Sequence, residues 1–93
     1  MTAYRRSAGV SEMVVEADLY LVAPGSADIF HLDSLAASLW RLLQAPTTEA
    51  ALAAVMADAF PDADSTAIAG DVARALAALG DQGLIEVVAL SQG

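Results

Sequence analysis

Ninety-three residues can enclose one hydrophobic core and not two, so the chain reads as a single domain, and a 57% apolar content carried by Ala, Leu and Val predicts that it folds. The absence of cysteine excludes a disulfide framework, a thiolate metal site, an iron–sulfur cluster and a thiol nucleophile, and points to the cytoplasm. Twelve acidic residues against four arginines leave a net charge of −8, too few cations for phosphate neutralisation on nucleic acid, and no apolar run is long enough to span a membrane.

Residues 1–9 lack periodicity and end in Ser-Ala-Gly, which predicts a flexible N-terminal arm. The domain is expected to occupy residues 10–88, with residues 89–93 as a C-terminal tail. From Val10 to Ala23 the chain is rich in Val, Leu and Tyr, and two short strands are expected at Met13 to Glu16 and Leu19 to Val22. Pro24, Gly25 and Ser26 supply a turn, because proline fixes its own φ and glycine accepts positive φ. A third strand, Asp28-Ile29-Phe30-His31-Leu32, runs into Asp33, a side chain suited to cap a helix.

From Ser34 to Gln44, the residues Leu35, Ala36, Leu39, Trp40 and Leu43 recur at helical spacing. Pro46 stops that helix, Thr47 or Thr48 caps the next, and Leu52, Val55, Met56, Ala59 and Phe60 form its apolar face up to Pro61. The third and longest helix carries Ile68, Val72, Ala75, Leu76 and Leu79 through to Gln82, and Gly83 suits its left-handed C′ position. Leu84 to Val88 is a short apolar tail that could form a further strand. The order predicts an α+β, winged-helix-like fold with three short N-terminal antiparallel strands followed by three helices.

The run His31-Leu32-Asp33-Ser34-Leu35-Ala36-Ala37-Ser38-Leu39-Trp40-Arg41-Leu42-Leu43 resembles the central pattern of the PqqD-like family. So do Asp71-Val72-Ala73-Arg74-Ala75-Leu76, with Leu79 after them, and the terminal Gly83-Leu84-Ile85. Asp33 stands where the family usually has Asn, and Ala75 where it often has Phe, so the shape of any pocket beside the third helix is this chain's own. The resemblance implies a RiPP recognition element. This is a non-enzymatic module without cofactor or metal that binds the leader segment of a ribosomally made precursor peptide. It hands that leader to a modifying enzyme, a radical SAM maturase or a leader peptidase.

On this reading Asp28, Ile29, Phe30, His31 and Leu32 offer a strand edge to which an extended peptide adds itself, and Ile68, Asp71, Val72, Arg74 and Ala75 face it from the third helix. Alternation turns either Ile29 and His31 or Phe30 and Leu32 toward the core, and the sequence leaves both phases open. The same edge allows a monomer or a weak homodimer.

Other chemistries compete for the same residues. His31, Asp33 and Ser34 contain the members of a hydrolytic triad, but Asp33 and Ser34 are better used as the cap and first turn of a helix. Asp58, Asp62 and Asp64 lack the order of a calcium loop. Asp33-Ser34-Leu35 matches the tripeptide on which acyl or peptidyl carrier proteins bear phosphopantetheine, at Ser34, yet it follows a strand rather than a long helix and loop. A winged-helix DNA-binding regulator would need more cations on the third helix than Arg74.

Overall fold

A computed structural model of the chain describes residues 2–89. The elements run β1 (Thr2–Arg6), β2 (Ser11–Val15), β3 (Asp18–Val22), β4 (Ile29–Leu32), α1 (Ser34–Leu42), α2 (Glu49–Ala59), α3 (Ser65–Asp81) and β5 (Ile85–Ala89). The α+β class expected from the sequence is the one found, with five strands rather than three.

Turn residues set the limits of the first sheet. Glu16 adopts the left-handed conformation at φ 58°, so β2 ends at Val15 and a two-residue turn feeds β3. The strand expected at Met13 to Glu16 therefore lies two residues earlier at its start and one earlier at its end. Gly25, at φ 75°, closes the next turn, where the Ser26 N–H donates to the Ala23 carbonyl at 3.1 Å. The result is an antiparallel sheet ordered β2-β3-β4, with Leu19 opposite Leu32 and Leu21 opposite Phe30.

Each helix begins on a side chain that accepts a backbone N–H. Asp33 accepts from Ala36 at 2.8 Å, Thr48 from Ala51 at 3.1 Å and Asp64 from Thr66 at 2.9 Å, each cap worth about 1 kcal/mol. The last helix ends in a Schellman motif. Gly83, at φ 74°, donates to the Gly80 carbonyl, and Leu84 donates to that of Leu79, both at 3.0 Å.

That turn sends β5 back along β1, and here the structure corrects the sequence reading. The supposed N-terminal arm is a strand, paired antiparallel to β5 from Thr2 opposite Ala89 to Arg6 opposite Ile85. Tyr4 also exchanges two backbone hydrogen bonds with Thr47, of 2.9 and 3.0 Å, so β1 is held between β5 and the connector of α1 and α2. Of the tail expected at residues 89–93, Ala89 closes β5 and residues 90–93 lie outside the described residues.

Between sheet and helices lies one core. Leu19, Leu21 and Leu32 from the sheet meet Leu39, Trp40 and Leu43 of α1 and its end, Leu52 and Met56 of α2, and Ile68, Val72, Leu76 and Leu79 of α3. The alternation left open in the sequence is thereby settled: Phe30 and Leu32 turn inward, Ile29 and His31 outward. No helix among the described residues is long and apolar enough to cross a membrane.

Candidate functional site

β4 occupies one end of its sheet. β3 pairs with one of its edges, and among the described residues no strand pairs with the other. An edge of this kind presents backbone N–H and C=O groups without strand partners. It is four residues long because Asp33 leaves it to cap α1, and Asp28, just before it, is fixed by an N–H bond of 3.0 Å to the Ser26 hydroxyl.

Beside the exit of β4 lies a groove of about 500 Å³, lined by Asp33 and Leu35 at the start of α1 and by Asp71, Arg74 and Ala75 of α3. Arg74 and Asp71 form an exposed ion pair one helical turn apart, so two carboxylates and one guanidinium surround an apolar floor of Leu35 and Ala75. Of the residues expected here, Asp71, Arg74 and Ala75 come together. Ile68 and Val72 do not line the groove; both are buried in the core beneath it. Asp33 and Leu35 were missed as groove residues, although their place in the first turn after the edge strand was the available signal.

His31, Asp33 and Ser34 border one cleft of about 390 Å³ with Asp18 and Arg41, but among the described residues no hydrogen bond joins the three into a reactive group. His31 Nε2 lies 3.2 Å from Asp18 Oδ1 and tilts against the Tyr20 ring at 5.1 Å, on the outer face of the sheet, while the Asp33 carboxylate is occupied by the α1 cap. Asp64 is likewise engaged as the α3 cap, and no cluster of metal-ligating side chains occurs among the described residues. Sequence reasoning also missed a polar cluster around Trp40. Its indole N–H donates to Glu12, and Arg6 lies over its ring at 4.3 Å and donates to its carbonyl at 3.0 and 2.7 Å.

A family model described as coenzyme PQQ synthesis protein D (PqqD) matches residues 18–85, from the start of β3 to the first residue of β5. The chain belongs to the PqqD family. The solution NMR structure of the PqqD truncation of Methylobacterium extorquens PqqCD is similar at a TM-score of 0.72 and 27% identity, over 90% of this chain and 88% of that one. That protein is described as a functional, stand-alone RiPP recognition element. Comparison with curated proteins gives no match. The PqqD match spans both halves of the site, the edge strand and the α3 side of the groove, and leaves β1 and β2 outside it.

Proposed function

We propose that this protein captures the leader segment of a ribosomally made precursor peptide by strand addition to β4 and presents it to a modifying enzyme or leader peptidase, without performing chemistry itself. The observation that carries this reading is that β4 has β3 as its only strand partner among the described residues, while a groove opens at Asp33, the residue that follows it. The family, and the recognition role described for the M. extorquens relative, support the same conclusion.

A leader added to β4 extends the order to β2-β3-β4-leader. Backbone hydrogen bonds then supply affinity independent of sequence, and alternate leader side chains fall toward Leu35 and Ala75 or toward Ile29 and His31. Such an interaction, short and with one or two filled pockets, is expected near a micromolar Kd, about 8 kcal/mol. The modifying enzyme, a radical SAM maturase or a leader peptidase, takes the leader from this surface.

Titration of isotopically labelled protein with the precursor's leader peptide tests the proposal. Amide shifts should gather at residues 28–32 and 71–75; shifts confined to β2, or none at saturating peptide, would sink it.

A further inference from the structure

The apolar face of α2 is only half used by the core. Leu52 and Met56 are buried, but Val55 is 47% exposed and Phe60, at the helix end, 50%. With Met56 and with Ser38, Arg41 and Leu42 of α1, these two wall a second groove, of about 290 Å³. It shares no lining residue with the groove at Asp33, Leu35, Asp71, Arg74 and Ala75.

Arg41 is the only charged residue lining this groove. The other three arginines are ion-paired, Arg5 with Glu86, Arg6 with Glu12 and Arg74 with Asp71. Among the described residues, Arg41 alone of the four has no carboxylate within ion-pair distance, in a chain with three times as many acids as bases. A cation in the last turn of α1 is favoured by the helix dipole by about 0.3–1 kcal/mol, but that does not account for the open Val55 and Phe60 around it. Arginine, methionine and aromatic side chains around a concave apolar surface are the composition of an interface centre. A second copy of the chain fits poorly, since a two-fold contact sets this patch against its own copy, and the groove supplies no carboxylate to pair with the other copy's Arg41.

We propose that this groove docks an amphipathic segment of a protein partner, in which an Asp or Glu engages Arg41 and flanking bulky apolar side chains cover Val55 and Phe60, while the leader occupies the other groove. Helical spacing, with the acid three or four positions from an apolar anchor, matches a groove between two helices. That the partner is the modifying enzyme rests on the proposed function; the chemistry of the groove does not.

The test is selection of random twelve-residue peptides displayed on phage against the intact protein, with synthesis of the enriched sequences and titration of labelled protein. Enriched peptides should carry an acid three or four positions from Phe, Leu, Ile or Met and shift amides at residues 38–42 and 55–60. Arg41→Glu should weaken binding at least tenfold and restore it for the peptide with Lys in place of the acid. Val55→Glu, at an exposed position, should weaken both peptides. Peptides without acidic bias, binding indifferent to Arg41→Glu, shifts gathered at residues 71–75, or self-association abolished by Arg41→Glu would each overturn the proposal. Leader titration of the unsubstituted protein separates the two readings: no leader binding with peptide docking intact condemns the proposed function, and leader binding with no peptide docking at this groove condemns this one.

Discussion

The Trp40 indole N–H donates to Glu12 Oε1 at 2.6 Å, and the same oxygen accepts from Arg6 at 3.1 Å. A core tryptophan, 2% exposed, is thereby tied to the outermost strand of the sheet and to β1. Removing the acceptor strands a buried donor, which costs about 1–3 kcal/mol. Glu12→Ala should lose stability of that order in urea unfolding followed by tryptophan fluorescence. Glu12→Gln, which keeps an acceptor for the indole, should lose less. Equal stability of Glu12→Ala and the parent would mean that water replaces the carboxylate.

Proline substitution separates the two edges of β4. Adjacent residues in a strand direct their N–H groups to opposite sides, so one of Ile29→Pro and Phe30→Pro removes a bond to β3 and the other removes only a donor on the free edge. The variant altered on the free edge should retain the parent's circular dichroism and melting curve and lose leader binding. If both variants fold and bind the leader normally, strand addition is wrong.

Ala75 sets the floor of the groove beside β4 with a single methyl group. Ala75→Trp fills that space from a partly exposed position. Leader affinity should fall at least tenfold, about 1.4 kcal/mol, in a calorimetric titration, with the melting midpoint little changed. Undiminished affinity would place the leader elsewhere.

Gly83 occupies the left-handed C′ position after α3, and a Cβ there would meet no atom within 4 Å. The cost of Gly83→Ala is therefore conformational rather than steric. It should be about 1 kcal/mol, a fall of roughly 4–8 °C in melting midpoint for a domain of this size.

Local chemistry made much of the fold legible. Asp33 and Thr48 cap helices through their side chains, Gly25 and Gly83 take the positive φ that a residue without Cβ allows, and the helices follow the spacing of Leu39, Leu43, Leu52, Val72 and Leu76. Long-range pairing was not legible. β1 buries only Ala3 fully, and its partner lies some eighty residues away, so nothing in Thr-Ala-Tyr-Arg-Arg marks a strand. Glu16 concealed a turn, because residues other than glycine and asparagine seldom adopt positive φ. Of the site, the strand and the α3 positions Asp71, Arg74 and Ala75 were readable from the resemblance. The inward placement of Ile68 and Val72 follows from their helical spacing with Leu76 and Leu79, whereas the phase of β4 and the half-open face of α2 depend on how neighbouring elements pack, which periodicity does not encode.

The pairing of β1 with β5 sets Thr2 directly across from Ala89. The described chain therefore begins and ends at one pole, and a protein fused to either extremity would hang from the same corner of the molecule. A few glycines would join Thr2 to Ala89, so the segment of residues 2–89 lends itself to circular permutation, with new ends cut in the exposed connector around Asp62.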